Sequence, residues 1–393
     1  MKYFSAQICE KGNIAVDDTI LVKGVASTAG SKILDGFKPL FSAQAVTALE
    51  EKGYTIAGKT HVGEFGLDLI GEFSYYAPQD GELCGAAATL VANGDVKAAL
   101  GVDMNGSTRR AAALAGVDFL KPTYGTVSRY GVISCAASGE QIGVYAKDAQ
   151  GVKEIIEVIA GHDAKDGTSL PGTYTYTTDE DVAGKKVCII KELFDKADDA
   201  ARARVTAFAD ALRANGVVVE EISFSLADVA NTAWQILMTA ETCNNVSRYD
   251  GVKYGHRAAQ YRNIDELYVN TRTEGFNFLT KAVILYGSDA LSKNRYKDCY
   301  DKSLRVRRVV SDAMAEIFEQ YAAVLTPACS KTSYEAYDIK DAFGKVFSES
   351  VFTAIPSLIG TPALVSGGVQ LMGKAFAEST LLSLAASVER KGE

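Results

Sequence analysis

Ser107 is the residue whose surroundings in the sequence best suit chemistry. The apolar run 98–102 leads into Asp103, and a Met-Asn-Gly segment then presents Ser107 ahead of Thr-Arg-Arg. A strand–turn–helix step of this kind aims a hydroxyl and several backbone N–H groups at one point, which acyl transfer requires. The same pattern fits a plainer role, in which Ser107 only caps a helix over 108–115. The local sequence leaves both roles open.

Charge and histidine content narrow the classes of partner. The chain of 393 residues carries a net charge of −8, which disfavours direct binding of nucleic acid because phosphate binding relies on clustered Lys and Arg. The densest basic run, residues 305–308, is typical of a solvated helix face. The three histidines, His61, His162 and His256, lack metal-ligand spacing. We therefore expect no metal and no cofactor.

Cysteine usage and hydropathy indicate the compartment. The seven cysteines are odd in number and scattered, without a CxxC pair, which is typical of reduced thiols in a cytoplasmic protein. No apolar run is long enough to span a bilayer, and the first residues lack the apolar core of a signal peptide. We expect a cytoplasmic protein with no membrane association.

Apolar spacing predicts strands that alternate with helices, and hence an α/β fold with a mixed, mostly parallel sheet covered by helices on both faces. Ser42 is predicted to cap the first helix, and Thr326-Pro327 to end a strand. The predicted helices are 42–52, 86–92, 151–160, 202–214, 230–250, 303–321 and 378–389, and the predicted strands are 54–58, 96–102, 186–190, 217–222 and 322–325. No linker or repeat divides the chain, so we expect a single domain over 1–393.

Several segments in the same order resemble the amidase signature family. The strongest match covers 116–170, which contains GVDFLKPTYG and IAGHDAKDGTSL, and further matches lie at 22–34 and 57–65. SRYDGVKYG at 247–255 and TRTEGF at 271–276 resemble, in particular, the A (glutaminase) subunits of glutamyl-tRNA(Gln)/aspartyl-tRNA(Asn) amidotransferases. The resemblance implies the amidase-signature fold, without the family's N-terminal helical extension. It also implies glutamine amide hydrolysis that feeds ammonia to misacylated tRNA.

The family's chemistry uses a serine nucleophile, a bridging serine in a cis peptide and a lysine base. By this resemblance Ser107 holds the nucleophile position, and Met104, Asn105 and Gly106 align with the oxyanion hole. Asn105 stands where the family prefers glycine. Asn tolerates the positive φ that such a glycine often adopts, so we expect the oxyanion hole to survive.

The other two catalytic positions are substituted. Asp17 stands at the lysine position in IAVDDTI (14–20), and Leu83 stands at the bridging-serine position with Cys84 beside it. Leu83 can neither accept nor donate a proton, and an ionised Asp17 would oppose a developing oxyanion. Loss of a triad member typically costs a factor of roughly 10⁴ in rate. We therefore expect efficient glutaminase chemistry to be lost. The connection from Lys59 to Gly81 is also shorter than in the family.

The substrate-binding positions are substituted as well. Val283 aligns with the arginine that clamps the glutamine carboxylate, Ser350 with the acidic residue that meets its amine, and His256 with a pocket tyrosine. Lys23 and Lys59 lie outside the catalytic position, and we expect a solvated or structural role for both.

Three hypotheses follow. The first is a pseudoenzyme or strongly impaired paralogue kept for binding or for assembly with B- and C-type amidotransferase subunits, with tRNA reached only indirectly. The second is an active amidase or amidotransferase subunit with a rearranged site around Ser107, Asp17 or Cys84. The third is a small-molecule binding module without turnover. Cys84 is more typical of a small buried apolar residue than of a nucleophile.

Overall fold

A computed structural model describes residues 2–76 and 85–390, and one mixed sheet of eleven strands runs through this part of the chain. Leu83 and Cys84 lie outside the described residues. The strands are β1 (Phe4–Gln7), β2 (Ile14–Asp17), β3 (Ile56–Thr60), β4 (Ala98–Asp103), β5 (Asp118–Lys121), β6 (Gln141–Ala146), β7 (Lys186–Ile190), β8 (Val218–Ile222), β9 (Ala323–Pro327), β10 (Ala363–Ser366) and β11 (Val369–Met372).

The strand order is β1-β3-β2-β4-β6-β5-β10-β11-β9-β7-β8. The mixed sheet of the sequence prediction is confirmed, but the prediction that it is mostly parallel is wrong. Among the described strands, four of the ten pairings are parallel: β3 with β2, β2 with β4, β9 with β7 and β7 with β8. Strand–helix alternation holds towards the two ends of the sheet, whereas the centre, from β4 to β9, is antiparallel throughout.

Helices cover both faces of the sheet. They are α1 (Gln44–Glu51), α2 (Ala86–Asn93), α3 (Ser107–Ala115), α4 (Ala149–Ile159), α5 (Lys191–Lys196), α6 (Asp199–Ala214), α7 (Ala227–Asn245), α8 (Ile264–Gly275), α9 (Phe278–Leu291), α10 (Lys302–Gln320), α11 (Ala342–Glu349), α12 (Ala354–Ile359) and α13 (Glu378–Glu389). One apolar core lies under α1, α4, α6 and α13. The opposite face holds one core under α7, α9, α10 and α12 and another under α2 and α3. No helix of the described ranges is long and apolar enough to cross a membrane.

The elements that were predicted lie within five residues of their observed bounds, but several observed elements have no predicted counterpart. These are the strands β1, β2, β5, β6, β10 and β11 and the helices α5, α8, α9, α11 and α12. The strand Lys186–Ile190 and the helix Glu378–Glu389 are confirmed as predicted. Ser42 does not cap α1: its hydroxyl accepts from the Lys23 N–H instead, and the cap position is Ala43. Thr326 and Pro327 do not follow β9 but form its last two residues, because both pair with β11 in the antiparallel register.

Glu64 joins the loop after β3 to α9 through a buried carboxyl group. It accepts hydrogen bonds from the Ser31 and Thr280 hydroxyls and from the Asn277 N–H at 2.9 Å. Its side chain is 3% exposed, and this burial raises its pKa to about 7, although the three hydrogen bonds oppose the rise. A raised carboxyl pKa means that the folded state holds the proton more tightly than the unfolded chain.

This group predicts a pH-dependent stability with a defined sign. The contribution of Glu64 is fully present below its ordinary pKa of 4.5 and is lost as the pH rises towards about 7. At about 1.4 kcal/mol per pKa unit, the loss is roughly 3 kcal/mol. Glu64→Gln keeps a polar group of the same shape and removes the titration. Urea unfolding at pH 5 and pH 8 should show wild type losing more stability than the variant, whereas parallel losses would contradict the assignment.

Candidate functional site around Ser107

Ser107 lies where β4 passes through a tight turn into α3. Gly106 forms the turn with φ 83°, and a Cβ built on it would lie 2.4 Å from Thr353, so no other residue fits without displacing that side chain. Gly106 is the cap residue, and Ser107 is the first residue of the helix. The hydroxyl therefore does not cap α3, and the capping role considered from sequence is wrong.

A buried ion pair holds this turn in place. Arg109, on the first turn of α3, donates to both oxygens of Asp103 at 2.9 Å, and both side chains are fully buried. Its remaining three N–H groups reach the Thr353 carbonyl, Gln370 and Ser357 at 2.8–3.0 Å. Burial raises the pKa of Asp103, but Arg109 and the Thr108 hydroxyl outweigh that effect and keep it below its usual value. The guanidinium therefore has all five donors satisfied, and the carboxyl stays ionised.

Asn105 is accommodated in the turn by its side chain rather than by a left-handed backbone. Its φ is not positive, contrary to the expectation from sequence. Its side-chain oxygen instead accepts from Trp234 Nε1 at 3.0 Å and from Gln235 Nε2 at 3.1 Å, both on α7. Its carbonyl accepts from Arg110 and from the Thr353 hydroxyl. Met104 is buried beside it. The role of Met104, Asn105 and Gly106 in an oxyanion hole stays a prediction.

Asp17 and Ser107, which lie far apart in sequence, line one small pocket. Its volume is about 30 Å³, room for water rather than for a typical small-molecule ligand. The described lining residues are Asp17, Thr60, His61, Val62, Asp68, Ile70, Gly71, Gly85, Ala86, Ala87, Gly101, Ser107, Thr108, Ala111 and Tyr145. None of these is a lysine or an arginine.

The Asp17 carboxyl is held firmly at the end of β2. One oxygen accepts from the N–H of Thr19 at 2.8 Å and from its hydroxyl, and the other accepts from the N–H of Val102 at 2.6 Å. Burial raises the pKa of Asp17 despite these bonds. Asp17, which the resemblance aligns with the family's lysine, is therefore a fixed, desolvated acid, and such a group is a poor substitute for an amine base.

Lys59 does not point towards the Ser107 pocket. The parallel register pairs Asp17 with Thr60 and Val16 with Lys59, so the pleat sends Lys59 to the opposite face of the sheet. There its ammonium forms an ion pair with Asp18 at 3.0 Å and donates to the Ser27 hydroxyl. Its side chain is fully buried, which lowers its pKa. Its contacts are structural, as expected from sequence.

Sequence reasoning missed His61 and Asp68 as residues of the Ser107 pocket. His61 follows Thr60 directly; the ring Nδ1 is buried without a hydrogen-bond partner among the described residues, and burial lowers the pKa of the ring. Asp68 accepts from the N–H groups of Gly71 and Phe73. Burial and the nearby Glu72 raise the pKa of Asp68 well above its usual range. The parallel pairing of β2 with β3 is the signal that would have placed residues 60 and 61 beside Asp17.

The three residues that the resemblance aligns with substrate-binding positions do not meet at this pocket. Val283 packs in the core under α9, and it is 2% exposed. Ser350 is fully buried and donates to the Val346 carbonyl at 2.6 Å. His256 pairs with Glu274 at 2.8 Å. None of the three is among the described residues that line the Ser107 pocket. The described part of the chain also holds no cluster of His, Cys, Asp and Glu that could bind a metal ion.

The side-chain bonds of Asn105 predict the cost of restoring glycine at that position. Asn105→Gly leaves two buried donors on α7 unpaired, at about 1–3 kcal/mol each, and adds about 1 kcal/mol of backbone entropy. Denaturant unfolding should show a loss of roughly 3 kcal/mol or more. In a Trp234→Phe background the cost of Asn105→Gly should be smaller, because one donor is already gone. Equal costs in both backgrounds would contradict this account of the turn.

Comparison with known proteins agrees with this architecture. The family model described as Amidase matches residues 13–382. The A subunit of glutamyl-tRNA(Gln) amidotransferase from Lactobacillus gasseri is 34% identical over 97% of this chain and 84% of the relative, and that from Desulforamulus reducens is 35% identical over 97% and 83%. The crystal structure of the corresponding protein from Thermotoga maritima superposes with a TM-score of 0.81 at 27% identity, covering 99% of this chain and 87% of that one. The chain belongs to the amidase family.

Proposed function

We propose that this chain is an impaired member of the amidase family that acts by binding, through assembly with B- and C-type amidotransferase subunits. The observation that carries the proposal is Asp17. A desolvated carboxyl, rather than an amine, shares the small pocket with Ser107, and the described lining residues include no lysine or arginine. The described turn that holds Ser107 is intact, while the described pocket contains no lysine that could activate the serine.

The charge of the pocket opposes acyl transfer. A serine hydroxyl needs a base to take its proton, and the tetrahedral intermediate then needs donors for its negative charge. Asp17 and Asp68 are both acids, and each already accepts backbone N–H groups. An ionised carboxylate beside the oxyanion would destabilise that intermediate. Together with the substitution at Leu83, this arrangement supports a rate loss of roughly 10⁴ or more.

The glutamine-binding positions support the same conclusion. Val283 contributes to the core instead of presenting a guanidinium, and the Ser350 hydroxyl is used within its own helical turn. Neither supplies the bidentate partner that a substrate carboxylate prefers. A chain that has lost both its base and its clamp gains nothing from glutamine, so selection for binding explains the retained fold better than selection for turnover.

Assembly fits the surface and the charge of the chain. The helices α8 and α9 each expose two large apolar side chains on one face, Ile264 with Tyr268 and Phe278 with Leu285. Exposed apolar faces are typical of surfaces that a partner covers. The net charge of −8 agrees with tRNA being held by a partner protein. The similarity to A subunits over 97% of the chain supports partners of the same type.

A serine hydrolase with another base is the second candidate function, and His61 favours it. This histidine lines the Ser107 pocket, and its lowered pKa keeps the ring neutral at physiological pH. A neutral imidazole is the commonest base for a serine nucleophile. In this alternative His61 takes the proton from Ser107 and returns it to the leaving group.

Co-expression tests the assembly proposal. Tagged wild-type chain should co-purify with B- and C-type amidotransferase subunits in stoichiometric amounts, and the complex should release no ammonia from glutamine above the rate of a Ser107→Ala complex. Leu285→Asp and Ile264→Asp should weaken the association, whereas Lys191→Asp, at an exposed position on α5, serves as the control. Failure to co-purify would refute assembly, and serine-dependent ammonia release would refute the loss of glutaminase chemistry.

A further inference from the structure

The Ser107 pocket is lined by hydrogen-bond acceptors and by acids, and no lysine or arginine is among its described lining residues. Its floor is formed by Asp17 and Thr60, which are register partners on β2 and β3, together with Gly101 of β4. Its roof is formed by α2 and α3, and Asp68 closes one side. The space persists partly because Gly101 has no side chain: a Cβ there would lie 2.8 Å from the Tyr145 ring.

The nearest basic side chains make their hydrogen bonds outside the pocket, although Nη2 of Arg110 has no hydrogen-bond partner among the described residues. Lys59 points to the other face of the sheet, where Asp18 and Ser27 bind its ammonium. Arg110 donates to the Leu69 and Asn105 carbonyls at 2.9 and 3.0 Å. Its charge lowers the pKa of Asp68, but burial and the nearby Glu72 outweigh that effect, so this pKa remains raised. Both acids of the pocket therefore lack a charged partner among the described residues that line it.

An independent observation shows that the pocket offers unused hydrogen-bonding groups. Thr60 is fully buried, and its hydroxyl has no hydrogen-bond partner among the described residues although the side chain lines the pocket. The buried Nδ1 of His61, which also lines the pocket, likewise has no hydrogen-bond partner among the described residues. Unpaired buried polar atoms are costly, so an occupant that pairs with them is favoured.

We propose that this pocket binds a small ammonium-type cation, either ammonium itself or the head of a primary amine. Such a cation supplies hydrogen-bond donors to Asp17, Asp68 and the Thr60 hydroxyl, and it places a positive charge inside a pocket whose described lining residues include no lysine or arginine. The volume of about 30 Å³ suits an ion of the size of water. A metal ion fits less well, because the described residues hold no ligand cluster for one.

The cation site depends only on the side chains that line the pocket, and it stands whether or not the chain assembles with partners. Its readout also differs from that of the assembly experiment. The unfolding temperature of the isolated chain is measured in ammonium, methylammonium, sodium and tetramethylammonium chlorides at matched ionic strength. We expect ammonium and methylammonium to raise it in a saturable manner, and the other two salts to leave it lower.

Two pocket variants and one control separate this site from general salt effects. Asp17→Asn should weaken the apparent ammonium affinity by about 10- to 100-fold, the effect of losing a charged hydrogen bond. Thr60→Val should weaken it by about 2- to 10-fold, and it should fold normally because the hydroxyl has no partner to lose among the described residues. Asp195→Asn removes one exposed carboxylate on α5 and should behave as wild type.

Each remaining outcome would overturn the proposal. Equal unfolding temperatures in all four salts would mean that the pocket holds water only. A rise in sodium chloride alone would indicate a metal cation. An ammonium effect that persists unchanged in Thr60→Val and Asp17→Asn would place the cation elsewhere on the surface. If Asp17→Asn does not fold, Thr60→Val alone decides the question.

Discussion

The buried pair of Arg109 and Asp103 is the interaction on which the rest of the site depends. It joins the end of β4 to the first turn of α3, and the same guanidinium reaches Thr353, Ser357 and Gln370 in the C-terminal part of the chain. Removing one partner of a fully buried ion pair typically costs about 3–5 kcal/mol, because the other charge is left uncompensated. The position of Ser107 is therefore maintained by the stability of the fold, independently of any chemistry that the serine performs.

This dependence supports the proposal that the Ser107 turn has been kept although the family's lysine base is absent. Gly106, Asn105 and Arg109 are each fixed by contacts with distant elements, so changes in the turn are costly to the whole fold. Asp17 is different. It lies at the end of β2, towards one edge of the sheet, where its carboxyl continues the hydrogen bonding between β2 and β4 by accepting from Val102. These bonds stabilise an acid at a position that the family resemblance aligns with a lysine.

The sequence predicted the scaffold better than the details of the pocket. The apolar pattern predicted the bounds of α13 and β7 correctly. The family resemblance predicted that Asp17 and Ser107 lie close together, and both line one pocket. Local cues failed where a side chain had a competing partner. Ser42 bonds to Lys23 rather than capping α1, and Asn105 bonds to α7 rather than adopting a positive φ. Such partners come from distant segments, so no local pattern reveals them. His61 and Asp68 were missed for the same reason, since their place beside Ser107 depends on strand register and loop closure.

The central claim, that Ser107 lacks an effective base, is tested most directly by the rate at which a fluorophosphonate probe labels this hydroxyl, because the probe reacts with activated serines. Intact-mass measurement should show no stoichiometric labelling of the wild-type chain, with the same background in Ser107→Ala. Rapid, stoichiometric labelling that disappears in Ser107→Ala would contradict the claim. If this labelling were also lost in His61→Gln but retained in Asp17→Asn, the result would identify His61 as the base.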